Sequence, residues 1–156
     1  MNEKIVYEHR QIGWVTIVGI LGSVVAVSVA LAISAQDADQ RRAFDFVVVV
    51  IAVVGAIFSS LTIRVTDRSM AWWFGLPVIG RRIVLTEIDS VEPTRTNIME
   101  GWGIHLTWWH GWVWNVSGFN AVEIKLRSGT RFAVGTPEPK AVVAAIESAR
   151  GDRIGP

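Results

Sequence analysis

The fold class this sequence predicts is an α+β membrane protein: an antiparallel hairpin of two transmembrane helices, then a small β domain capped by a C-terminal helix. Three observations carry that expectation. Two long apolar runs, residues 12–35 and 44–60, fill the first part of the chain. The apolar period then changes, with Leu61, Ile63 and Val65 alternating with Thr62, Arg64 and Thr66 as in a half-buried strand. Near the end it changes back, and Val142, Ala145, Ile146 and Ala149 form a single helical stripe. The division that follows is an N-terminal segment 1–11, a transmembrane hairpin 12–60, a β domain 61–151 and a tail 152–156.

The first run carries no charge and is long enough to cross a bilayer with some tilt. It exceeds a signal-peptide core, and the mixed charges before it (Glu3, Lys4, Glu8, Arg10) do not form a basic leader. The second run spans roughly 25 Å as a helix, the short end of what a bilayer needs. Small residues recur every four positions in both, at Gly22, Ala26, Ala30 and Ser34 and at Ala52, Ala56 and Ser60. In lipid such stripes let helices approach closely, so they are the expected packing faces. The connection 36–44 is short and polar. Lysines and arginines near the spans favour both termini inside.

From residue 61 onward, short alternating segments with turn signals read as an antiparallel sheet or barrel. Residues 70–74 and 81–85 are strands about Gly75-Leu76-Pro77 and Gly80; residues 88–96 are a weaker strand broken at Pro93. Val122, Ile124 and Leu126 alternate with Glu123, Lys125 and Arg127. Ile124 and Phe132 share a face if Arg127-Ser128-Gly129 is a three-residue loop with Gly129 left-handed, which stacks Lys125 on Arg131. Thr136 is a suitable N-cap for the last helix, Pro137 its first residue, and Gly151 its stop.

The strand leaving a helix, the stretch Gly80-Arg81-Arg82-Ile83-Val84-Leu85-Thr86-Glu87-Ile88, and Gly101-Trp102-Gly103-Ile104-His105 together resemble the bacterial pleckstrin-homology-like (PH-like) domain family of small membrane proteins. Ser117-Gly118, Ala121-Val122-Glu123-Ile124 and Gly135-Thr136-Pro137-Glu138-Pro139 extend the resemblance over about residues 61–150. It implies a seven-stranded barrel capped by a helix, cytoplasmic, on the bacterial inner membrane, and prone to self-associate. It carries over no catalytic residues. The sequence departs from the family in its tryptophans.

Five of the eight tryptophans (Trp102, Trp108, Trp109, Trp112 and Trp114) crowd one hairpin. With His110-Gly111 as a two-residue turn, Trp109 pairs with Trp112 and Thr107 with Trp114. One face then holds Trp109, Trp112 and Trp114; the other holds Trp102, Leu106, Trp108 and Val113. A barrel interior absorbs one face only. The surplus goes to the membrane interface, to a protein partner, or against the Trp72-Trp73 segment. The first is favoured because the domain follows a membrane helix directly, and Trp109, Trp112, Trp114, Trp72 and Trp73 are the expected membrane-interface or partner-binding residues.

A net charge of +1 without a basic arm argues against nucleic acid, and the absence of cysteine excludes disulfides and thiolate metal sites. His105 and His110 lack a third ligand nearby, no phosphate loop or dinucleotide fingerprint occurs, and no nucleophile elbow supports Ser117. The expectation is no enzyme, no cofactor and no metal. The expected role is an interaction module at the membrane, partnered by the bilayer and by its own copies or a complex subunit. The alternative is an anionic-lipid or small-anion sensor using Arg64, Arg68, Arg81, Arg82, Lys125 and Arg131.

Overall fold

The computed structural model describes residues 3–34, 37–97 and 103–151. Its first element is a strand absent from the sequence reading, β1 (Ile5–Ile12), in the segment assigned to the N-terminal arm. β1 leads through Gly13 into helix α1 (Trp14–Ser34); the chain turns back as α2 (Ala38–Phe58) and enters strand β2 (Ser60–Thr66). β1 and β2 pair antiparallel, from Ile5 opposite Thr66 to Ile12 opposite Ser60. The helices are thus an insertion in a β-hairpin, and both their feet rest on the same end of one sheet. The Gly13 N–H donates to the Ser59 carbonyl at 2.7 Å between those feet. The sequence does not mark β1, because its half-buried side is Tyr7, His9 and Gln11 and the alternation carries no hydrophobic contrast.

The helical pair differs from expectation in two ways. Asp37 caps α2 by accepting from the Gln40 N–H at 2.8 Å, so the helix takes in Asp39, Arg41, Arg42 and Asp45. The charge-free part of α2, residues 46–58, is only about 20 Å long. Among the described residues a single helix, Trp14–Ile33, is long and apolar enough to cross a membrane, and none of it is buried. Second, the helices do not meet through their small-residue stripes. Gly22 has no neighbour near its would-be Cβ, and Ala26, Ala30, Ala52 and Ala56 are exposed. Contact runs through Ile20, Val24, Val27 and Leu31 against Phe44, Val48, Ile51 and Gly55, where Ile20 fills the space a Gly55 side chain would take. This is the 3.5-residue spacing of a knobs-into-holes seam.

Two sheets follow. The first has the order β1-β2-β3-β4, adding β3 (Ser69–Phe74) and β4 (Ile79–Val84). The second comprises β5 (Ile88–Arg95), β6 (Gly103–Thr107), β7 (Gly111–Asn115), β8 (Asn120–Leu126) and β9 (Arg131–Gly135), in the order β5-β8-β9-β7-β6. Where a seven-stranded barrel or sandwich was expected, the described residues form nine strands in two sheets with no closed barrel. β7 pairs with β9 in parallel. β5 passes Pro93 without a break because it is an edge strand, and an edge can spare one N–H.

The core lies between the sheets and is built by Leu61, Ile63, Met70, Trp72 and Phe74 facing Val122, Ile124, Phe132 and Val134. Helix α3 (Pro139–Gly151) adds Val142, Ile146 and Ala149, as the stripe predicted, but it begins two residues later than expected. The β8–β9 hairpin has the expected register: Ile124 faces Phe132, Lys125 faces Arg131, and Gly129 is left-handed (φ 86°).

Candidate interaction surface

The tryptophan hairpin is in a different register from the one the sequence suggested. Leu106 faces Trp112 and Ile104 faces Trp114, with Thr107 opposite Gly111, so Trp108, Trp109 and His110 form a three-residue tip. Gly111 closes the tip at φ 67°, and a side chain there would overlap the Arg131 carbonyl. His110 turns over the outer face of the sheet, its Nε2 3.4 Å from Thr94 Oγ1 and 3.8 Å from Glu123 Oε2. The consequences for the indoles are specific. Trp114, expected outside, stacks on Phe74 at 5.7 Å and meets Trp72 edge-on at 6.0 Å. Trp72, grouped with the surface indoles, is fully buried. Trp108, expected in the core, is 99% exposed, and Trp109 is 73% exposed. Trp112 and Leu106 share the half-open side of the hairpin. Val113, not Trp108, is buried. Trp102 lies outside the described residues.

The direction of the hairpin decides what the tip can meet. Gly103 and Ile104, at the start of β6, border a cleft of about 490 Å³ whose other walls are Ile20, Val50, Val54 and Phe58 of the helices. β7 ends where Val116 and Ser117 hold the foot of α1: Thr16 Oγ1 donates to the Val116 carbonyl at 3.2 Å and Gln11 Nε2 to the Ser117 carbonyl at 2.8 Å. The tip is therefore at the opposite end of its sheet from the helices, beside Arg131 and the β8–β9 turn. Leu106, Trp108, Trp109 and Trp112 make an uncharged aromatic patch there, formed by edge strand β6, the turn and the start of β7. Exposed aromatic clusters of this kind mark protein interfaces.

The helix end of the domain carries apolar groups that the sequence reading did not single out. Leu76 is 66% and Val78 84% exposed in the β3–β4 turn; Trp14 opens α1, and Phe119 sits in the β7–β8 turn, both also exposed.

The basic residues are mostly engaged. Arg64 forms a two-pronged pair with Glu8 (2.9 and 3.1 Å) and lies 5.1 Å over the half-buried Trp73 ring. Arg82 pairs with Glu3, whose carboxylate is held below its ordinary range mainly by the Thr66 hydroxyl, with Ser69, Arg82 and Arg68 assisting. Arg81 stacks 4.7 Å over Phe132, and Lys125 pairs with Asp89 at 3.4 Å. Arg68 is exposed in the β2–β3 turn and Arg131 is exposed opposite Lys125. The six cations are thus spread over both sheets and do not share one site: Arg64 and Arg82 flank a groove with Glu3, and Lys125 and Arg131 flank another with Glu92 and Glu123. On the half-buried side of β1, the Tyr7 hydroxyl donates to Glu138 at 3.1 Å with His9 Nδ1 3.8 Å from the same carboxylate; burial, then that bond, pushes the phenol up to about 12. No group of three or more acidic, histidine or cysteine ligands gathers among the described residues. No family model, curated protein or solved structure matches this chain.

Proposed function

We propose that this chain is a membrane-anchored, non-enzymatic interaction module that holds an aromatic tip away from the bilayer to bind a protein: a complex subunit or its own copies. The observation that carries the reading is the position of Trp108 and Trp109, almost bare of contacts, at the sheet end opposite the helices. A tip aimed that way does not serve as an interfacial aromatic belt.

The strand pairing supports a two-pass anchor. With Ile12 opposite Ser60, a chain that crosses at α1 has to return through α2. Asp39, Arg41, Arg42 and Asp45 then sit toward the far headgroups, where long side chains reach water. On this reading both termini lie on one side, assigned to the cytoplasmic face of a bacterial inner membrane, and the two packed sheets with a C-terminal helix are a variant of the PH-like fold. The anion-sensor alternative has less support, because Arg64, Arg82 and Lys125 already hold carboxylates.

The test is the composition of the full-length protein released from its own membrane into nanodiscs, measured by native mass spectrometry. Trp108→Ser with Trp109→Ser should strip the associated chains and leave the melting temperature unchanged. The wild-type assembly should persist at high salt, since apolar contact is not screened. An unchanged composition in the double variant would overturn the proposal.

A further inference from the structure

We infer a second membrane contact: the β3–β4 and β7–β8 turns rest in the bilayer interface around the feet of the helices, so that the domain docks flush on the lipid surface. The inference rests on the reading that α1 enters the bilayer, and it adds which face of the domain meets lipid.

Position comes first. The Gly75 N–H donates to the Ser60 carbonyl at 2.9 Å, and a side chain on Gly75 would meet the Ile57 carbonyl at 2.6 Å, so the β3–β4 turn lies against the last turn of α2. A side chain on Gly13 would meet Val116 Cβ at 3.0 Å, which places the β7–β8 turn against the first turn of α1. Both turns are therefore level with the helix feet.

Chemistry comes second. Residues 74–79 (Phe-Gly-Leu-Pro-Val-Ile) and 116–121 (Val-Ser-Gly-Phe-Asn-Ala) contain no charge. Leu76, Val78 and Phe119 point to solvent among them, with Trp14 alongside at the start of α1. At the other end of the same sheets the β2–β3 turn carries Asp67 and Arg68 and the β8–β9 turn carries Arg127, beside the aromatic tip of the β6–β7 hairpin. The β3–β4 and β7–β8 turns form an apolar collar, flanked by exposed Arg10 and Arg95 at the same end of the sheets. The collar is continuous with an unburied apolar helix and fits the headgroup–acyl boundary, where tryptophan and short aliphatic side chains are stable and arginine meets anionic headgroups.

The chain has no cysteine, so single probes are direct to place. The full-length protein would carry an environment-sensitive fluorophore on Val78→Cys, Leu76→Cys, Ser128→Cys or Val25→Cys, reconstituted in phosphatidylcholine–phosphatidylglycerol nanodiscs. Lipids spin-labelled near the headgroup should quench the probes at 76 and 78 at least twofold and leave the probe at 128 unchanged; lipids labelled deep in the chain should quench the probe at 25. Quenching at 25 without quenching at 76 and 78 overturns the collar and leaves the anchor standing. Probes at 76 and 78 shielded from an aqueous quencher yet untouched by spin-labelled lipid mean a protein covers the collar, which also overturns it. Absence of quenching at 25 removes the anchor and the collar together.

Discussion

The indole of Trp72 meets Trp114 at 6.0 Å and Phe132 at 5.4 Å with no part open to solvent, whereas the indole of Trp108 touches almost nothing. Trp72→Ala should therefore cost about 3–5 kcal/mol, and Trp108→Ala no more than about 0.5 kcal/mol, by denaturant unfolding in detergent. Equal costs would mean that the hairpin register is wrong. Tyr7 offers a pH readout. Its neutral form is favoured in the fold, with the phenol raised from 10.0 to about 12. The resulting stability is complete below about pH 10 and is lost as pH rises toward 12. The stability difference between wild type and Tyr7→Phe should shrink over that window; a constant difference would show that the phenol titrates normally. None of this was readable at Tyr7 itself, since its partner Glu138 is distant in sequence and depends on how α3 crosses β1.

At the scale of elements, legibility followed contrast. In β8 and β9, charged and apolar residues alternate cleanly, and a one-residue slip would bury Lys125 and Arg131, so the register could be read from the sequence. In β6 the apolar Ile104 and Leu106 alternate with His105 and Thr107, but in β7 Val113 sits between Trp112 and Trp114 and the adjoining Trp108-Trp109 is apolar too, so the sequence does not set the turn length. The closing device is Gly111. Gly111→Ala should free the tip and speed amide exchange across residues 103–107, an effect Trp108→Ala should not have; unchanged exchange would remove the argument. The helix seam was misread for a related reason. Small residues every fourth position suggested a close-packing stripe, but heptad-spaced Ile20, Val24, Val27 and Leu31 fill the seam instead. Gly55→Val, which collides with Ile20, should lower the thermal midpoint in detergent by several degrees, while Ala26→Leu, on the outer side, should leave it within a degree or two. The reverse order would restore the small-residue face.

For the whole molecule, the β1–β2 pair sets the geometry. It ties both helix feet to one sheet end, turns the uncharged β3–β4 and β7–β8 turns toward them, and leaves the aromatic tip at the opposite end. A β domain, the strand leaving α2 and the terminal helix were legible in outline from hydrophobic period; the division into two sheets was not. The direction of the tip was not, because it depends on β6 starting beside the helices, a long-range arrangement with no local signal. The most direct test of the account is a photoreactive phenylalanine analogue at position 109 of the full-length protein, irradiated in its native membrane, with the same analogue at position 25 for comparison. Position 109 should yield adducts to a discrete protein chain, and position 25 adducts to lipid and to α2. Lipid adducts from position 109 would contradict the account.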